Sequence, residues 1–180
     1  LGGPNGVGAL CVWRGVELDP IIFGGGQERG LSPATENVAA AVGFAIAAEI
    51  AVRDRETESA RLRRLRDRLE SGLRERIPGA QVNGAEAARL PHITNITVPD
   101  VDQGVLLAAL DLEGVAVASG SACRSGAAEP SHVLVAMGRD VPEAAAIRLS
   151  LGWSTTEGEI EEAIARIAGV VARARAMASL

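Results

Sequence analysis

The sequence of 180 residues contains no lysine, so all 18 of its basic residues are arginines. It also contains no tyrosine, and only 2% of its residues are aromatic. A core without tyrosine is built from Ala, Val, Leu and Ile, which pack without polar partners. The scarcity of aromatic rings argues against a surface on which nucleic-acid bases stack. The net charge of −5 offers no positive field for phosphate backbones. We therefore expect no direct nucleic-acid partner.

Long apolar runs and paired cysteines are also missing. No apolar run approaches the roughly 20 residues that a membrane helix needs, which excludes a span in this sequence. The two cysteines, Cys11 and Cys123, lie far apart in a chain without a leader sequence. This argues against a disulfide framework and predicts a cytoplasmic protein. The cysteines and the two histidines show no paired ligand spacing, so no metal site is expected.

Apolar residues at steps of three and four predict three long helical stretches. The first runs from about Thr35 to Ile77, either as one helix or as two. The second lies in "DQGVLLAALDLEG" and is closed by Gly114. The third follows Thr156 and Glu159, which have the spacing of a capping box. "EPSHVLVAMG" predicts a further short helix.

Strand-like stretches are interleaved with these helices, and they are "VGALCVW", "IIFGGG", "HITNITV", "VAVASG" and "AIRLSLG". Within the first, Cys11 is predicted to be a small hydrophobic core residue. Because helices and strands alternate without a repeat, we predict an α/β or α+β packing of layers.

The stretch "ASGSACRSG" places Cys123 among glycines and serines, directly after a predicted strand. Such a backbone has many accessible conformations and suits a thiolate that collects a group in one place and delivers it in another. Arg124 favours the thiolate weakly. His132 is either a base or, more commonly for its position, a cap or packing residue. A surface loop with an incidental cysteine is the alternative.

Several stretches together carry a family resemblance. The chain resembles the C-terminal part of a cysteine desulfurase of the long-loop, iron–sulfur-assembly type, and the matching stretches, in the family's order, are "GGPNGVGAL", "GGGQERG", "TENV", "GSACRSGAAEPSHVLVAMG" and "AIRLSLGWSTTEGEIEEAI". The resemblance implies a fold-type I, pyridoxal-phosphate-dependent transferase of aminotransferase class V. Residues 1–30 would end the large cofactor-binding domain, and residues 31–180 would form the small C-terminal α+β domain with the catalytic cysteine loop.

The resemblance also implies roles for three residues. Cys123 matches the cysteine that takes sulfur from L-cysteine, leaving L-alanine and a persulfide. Arg148 matches the arginine that clamps the substrate carboxylate, a task for its planar fork of donors. Without the family it would be a strand-edge charge with a surface partner. Thr35 matches a threonine whose hydroxyl reaches the phosphate of pyridoxal 5'-phosphate in the neighbouring subunit, which implies a homodimer. Outside the family it would be a helix cap.

Two departures from the family pattern stand out. Ser32 and Ala34 replace an arginine and a glycine that similar proteins usually have. The family's Schiff-base lysine falls just before a stretch like "LGGPNG", which would place it upstream of Leu1, and the chain itself has no lysine. These 180 residues alone are therefore expected neither to hold the cofactor covalently nor to turn over cysteine.

Two other functions remain open at this point: a non-catalytic domain that binds partners, and a related pyridoxal-phosphate enzyme such as a selenocysteine lyase. The expected partners are L-cysteine and a protein that accepts sulfur, either a scaffold or a thiolation enzyme. The sequence does not distinguish iron–sulfur assembly from transfer-RNA thiolation or DNA sulfur modification.

Overall fold

The computed structural model describes residues 1–119, 131–138 and 144–178. The chain divides into two compact units, Leu1–Glu56 and Thr57–Leu180. The second carries the sheet. None of the described helices combines the length with the apolar composition that a membrane-spanning helix requires.

Four helices and four strands make up the regular structure of the described residues, apart from one short 3-10 turn at Gln27–Gly30. The helices are α1 (Val38–Arg76), α2 (Gln103–Leu112), α3 (His132–Ala136) and α4 (Glu157–Ala178). The strands are β1 (Gln81–Val82), β2 (Ile93–Pro99), β3 (Ala118–Ser119) and β4 (Ala144–Ser150).

In the first unit, the residues before α1 contain no strand and no helix apart from the 3-10 turn, and they are mostly exposed. Small residues allow the start of the chain to lie close to the helix: a Cβ on Gly43 would be 2.8 Å from Pro4 Cγ, and one on Gly3 would be 3.2 Å from Ala47 Cβ. The apolar residues at steps of four that predicted the start of the first helix do lie in α1, so the helix is confirmed. Their side chains are nevertheless 46% to 68% exposed, and they are Val38, Val42, Ile46 and Ile50.

The prediction of two strands in this unit is wrong. "VGALCVW" and "IIFGGG" have no regular strand structure, and most of their side chains are exposed. Cys11 is exposed as well, so its predicted core role is also wrong. A strand needs a partner strand for its backbone groups, and none pairs with either stretch among the described residues.

The second unit is an antiparallel sheet of four strands in the order β1-β2-β4-β3. Its central pair, β2 and β4, is joined over seven residue pairs from Ile93↔Ser150 to Pro99↔Ala144. Alternation along β4 buries Ile147 and Leu149 and exposes Arg148 between them. One face of the sheet is therefore apolar, and the opposite face carries polar residues.

Helices α1, α2 and α4 supply most of the remaining core. The predicted stripes in α1 and α4 are confirmed, and their buried residues are Leu62, Leu65, Leu69, Leu73, Ile77, Ile160, Ile164, Ile167 and Val171. These helices and the apolar sheet face form one cluster that includes Ile96 and Ile147. Burial of this aliphatic surface is the main stabilising contribution to the unit.

Local signals at the helix ends also hold. The Thr156–Glu159 capping box is confirmed, with Thr156 N donating to Glu159 Oε2 at 2.7 Å and Glu159 N donating to Thr156 Oγ1 at 3.2 Å. The bond from Thr156 N, together with one that Thr156 Oγ1 donates to Glu159 Oε2 at 2.9 Å, holds the pKa of Glu159 below its ordinary value. Gly114 closes α2 at a φ of +72°, with Val115 N bonded to Leu110 O at 2.9 Å.

Candidate functional site

Arg148 lies on the polar face of the sheet, on the interior strand β4. Its backbone is paired with Asn95 of β2 on one side and with Ala118 of β3 on the other. The side chain is exposed, and within the described residues it makes no ion pair or hydrogen bond. The reading of Arg148 as a strand-edge charge with a surface partner therefore fails among these residues. An unpaired guanidinium on a rigid strand is available to bind a carboxylate.

Several other arginines of the second unit bind backbone oxygens or carboxylates. Arg61 donates to the backbone oxygens of Gly152, Trp153 and Thr155, at distances of 2.6 to 3.2 Å. Arg89 pairs with Glu70 at 2.7 Å. These arginines hold loops and helices in place, which sets the unpaired Arg148 apart from them.

A polar row accompanies Arg148 on the same sheet. Asn83, which follows β1, donates from Nδ2 to Asn95 Oδ1 at 2.6 Å and to Thr97 Oγ1 at 2.7 Å. The sequence reasoning missed this row. The alternation in "HITNITV" could have placed Asn95 and Thr97 on one face, but it contained no signal for their contact with Asn83.

Thr35 lies two residues before the cap of α1. The helix cap is Asn37, whose Oδ1 accepts a hydrogen bond from Ala40 N at 3.1 Å. Thr35 is exposed, and its hydroxyl has no hydrogen-bond partner among the described residues. The capping alternative for Thr35 is therefore wrong, and the hydroxyl remains free to bind a ligand.

The turn ahead of Thr35 contains a strained residue. Ala34 has a φ of +124°, a backbone region that residues with a Cβ rarely adopt. This is the position where the resemblance leads one to expect glycine. The departure therefore places a Cβ at a strained backbone position just before Thr35.

Replacing Ala34 with glycine is expected to stabilise the protein. Removing the Cβ relieves the strain, and the larger entropy of glycine in the unfolded chain offsets part of that gain. We expect a net gain of about 1 kcal/mol and a melting temperature about 2–4 °C higher. Ala39→Gly is the matched control, since Ala39 is exposed within α1 and its replacement should destabilise the helix. A lower melting temperature for Ala34→Gly would contradict the strain.

Cys123, the predicted nucleophile, lies outside the described residues, as does Arg124. Its nearest described neighbours along the chain are Ser119, the last residue of β3, and Ser131, which precedes α3. His132 begins α3 and is exposed.

The family resemblance implies a pyridoxal-phosphate site, and the residues of the chain can be compared with what such a site needs. It has no lysine to form the covalent link to the cofactor. The free hydroxyl of Thr35 suits a phosphate oxygen, and the unpaired Arg148 suits a substrate carboxylate. Each of the two residues, taken by itself, suits one group of the cofactor or substrate, and the chain has no residue for the covalent link.

Comparisons with known proteins identify the family of the chain. The family model for aminotransferase class V matches residues 1–163. An IscS-like cysteine desulfurase from Mycobacterium tuberculosis is 47% identical over 176 residues, which cover 97% of this chain and 45% of that protein. A cysteine desulfurase from Gluconacetobacter diazotrophicus is 44% identical over 177 residues, covering 97% of this chain and 44% of that protein.

A solved structure gives the same result for the fold. The NifS-like protein from Rickettsia africae matches with a TM-score of 0.73 and 31% identity, over 86% of this chain and 40% of that one. The chain thus spans less than half the length of these relatives. The resemblance to cysteine desulfurases and the predicted fold class are confirmed. The chain belongs to the aminotransferase class-V family.

Proposed function

We propose that the chain is the C-terminal part of a cysteine desulfurase, which converts L-cysteine to L-alanine and holds the released sulfur as a persulfide on Cys123. The observation that carries the proposal is the unpaired Arg148, placed on β4 directly beside the strand that leads to Cys123. The high identity with proteins named cysteine desulfurase supports it.

Arg148 binds the substrate in this proposal. Its guanidinium donates two parallel hydrogen bonds to the carboxylate of L-cysteine, which fixes the orientation of the amino acid. Its place on an interior strand, with backbone neighbours on both sides, limits how far the carboxylate position can shift. The substrate is thereby bound on the polar face of the sheet, on the strand next to β3.

Cys123 is the nucleophile. Its thiolate attacks the substrate sulfur, so a sulfur–sulfur bond forms and the carbon–sulfur bond breaks. The carbon keeps the electron pair of the broken bond and takes up a proton to give L-alanine. When bound, pyridoxal 5'-phosphate supplies the electron withdrawal that weakens the carbon–sulfur bond. Four peptide units separate Cys123 from the end of β3, which limits their Cα separation to about 14 Å.

The remaining assignments follow from the same proposal. Residues 1–30 end the large cofactor-binding domain, and residues 31–180 form the small domain. The protein is a homodimer, and the hydroxyl of Thr35 donates a hydrogen bond to the phosphate of the cofactor that is bound in the second subunit. The Schiff-base lysine lies outside this sequence, and a sulfur-acceptor protein takes the persulfide sulfur in the cytoplasm.

The function is tested with the full protein that contains this chain, purified with pyridoxal 5'-phosphate. Alanine release is measured from L-cysteine and, separately, from L-selenocysteine. A desulfurase releases alanine from L-cysteine and places sulfur on the protein. Release from L-selenocysteine alone would indicate a selenocysteine lyase, and no release from either would favour a non-catalytic binding domain; both results overturn the proposal.

A further inference from the structure

The polar face around Arg148 contains a second hydrogen-bonding group. Asn95 lies directly opposite Arg148 in the antiparallel register of β2 and β4. Side chains of directly opposed residues share one face of a sheet, with Cβ atoms about 4.5–5.5 Å apart. The amide of Asn95 is therefore the polar side chain next to Arg148 across the pair of strands.

The hydrogen bonds of Asn95 determine what its amide can offer. Its Oδ1 accepts from Asn83 Nδ2 at 2.6 Å. Its Nδ2 donates to no oxygen among the described residues. The acceptor side of the amide is occupied, so the free side consists of N–H donors. Next to an arginine, that combination is suited to an anion.

The position of Asn83 is energetically unfavourable, because its side chain is buried and only partly hydrogen-bonded. It is only 6% exposed, and its Oδ1 is buried with no hydrogen-bond partner. A buried, unpartnered amide oxygen destabilises a fold, so an asparagine here is explained poorly by packing alone. Its Nδ2 donates one hydrogen bond to Asn95 and one to Thr97, and the first of these fixes the orientation of the Asn95 amide.

We propose that Asn95 donates a hydrogen bond to the substrate carboxylate beside Arg148, and that Asn83 is the positioning residue that turns the Asn95 amide toward it. The proposal deepens the proposed function and rests on it. The carboxylate is then bound from two neighbouring strands, by a charged fork from β4 and a neutral donor from β2.

The test uses Asn95→Asp and Asn95→Ala in the full protein purified with its cofactor. Asn95→Asp keeps an oxygen to accept from Asn83 and sets a negative charge against the carboxylate. Loss of a hydrogen bond to a charged group is expected to raise KM for L-cysteine about 10- to 100-fold. We expect Asn95→Asp to raise KM by at least the upper value of this range, and we expect kcat to change less than threefold.

Ser150→Ala is the matched control, since Ser150 is an exposed polar residue on the same strand as Arg148. It should leave KM unchanged. A second readout uses competitive inhibitors: the variants should weaken inhibition by L-alanine and leave inhibition by cysteamine, which has no carboxylate, as in the wild type. Unchanged KM in both Asn95 variants, or equal losses for the two inhibitors, would overturn the proposal.

The two proposals fail in different ways. Wild-type protein that binds L-alanine but releases none from L-cysteine overturns the proposed function, and the Asn95 contact is then judged from the dissociation constant of L-alanine. Wild-type protein that is active, with Asn95 variants of unchanged KM, overturns only the Asn95 contact.

Discussion

Replacing Cys123 with serine is expected to lower alanine release from L-cysteine by at least about 1,000-fold and to leave the cofactor's absorbance unchanged. Serine is close to cysteine in size, but its hydroxyl is a far poorer nucleophile at neutral pH than a thiolate. In the proposed mechanism the thiol takes no part in binding the substrate or the cofactor. The effect should therefore fall on kcat, with the affinity for L-alanine retained.

The chain contains its own control for this experiment. Cys11 is the other cysteine, and it is exposed in the first unit. Cys11→Ser should keep the wild-type rate, so that loss of activity in Cys123→Ser reports position and not the number of thiols. A Cys123→Ser protein with a normal rate, or an inactive Cys11→Ser protein, would contradict the assignment of the nucleophile.

Replacing Arg148 with alanine is expected to lower kcat/KM for L-cysteine at least about 100-fold. In the proposed function the substitution removes two charge-assisted hydrogen bonds to the carboxylate, and the described strands β1 to β4 contain no other basic residue to replace them. Arg148→Lys keeps the charge but loses the planar fork, so its kcat/KM should lie between those of the wild type and the alanine variant.

Arg63→Ala serves as the control, because Arg63 is an exposed arginine on α1 and its loss changes the net charge by the same amount. Since Arg148 makes no ion pair within the described residues, its removal should leave the melting temperature close to the wild-type value. A large loss of stability with KM unchanged would show that Arg148 supports the fold and does not bind substrate.

The helices of the second unit could be predicted from the sequence because their signals are local. The stripe from Leu62 to Ile77 and the Thr156–Glu159 capping box lie within a few residues of one another along the chain, and the structure has both. Such patterns need no knowledge of distant partners. The strand at Ile93–Pro99 was equally readable from its alternation.

The first unit shows where that reasoning fails. An apolar run such as "VGALCVW" has the composition of a strand, but a strand also needs a hydrogen-bonded neighbour. That requirement is non-local, and composition does not contain it. The exposure of Cys11 follows from the same error, because its core role depended on the strand.

The polar row of the candidate site could not be predicted from the sequence either. Arg148 was found through the family resemblance, and Asn95 and Asn83 were not found at all. Asn83 and Asn95 are 12 residues apart, and only the pairing of β1 with β2 brings them together. The strain at Ala34 could likewise be recognised only from its φ angle, although the family resemblance, which implies glycine there, pointed to the position.

The most direct test of the account is the mass of the peptides that carry the two cysteines after incubation with L-cysteine under non-reducing conditions. Cleavage after arginine places Cys11 in the peptide that ends at Arg14 and Cys123 in the one that ends at Arg124. The account predicts one added sulfur atom on the Cys123 peptide and none on the Cys11 peptide. Alanine release with no added sulfur on Cys123 would contradict it.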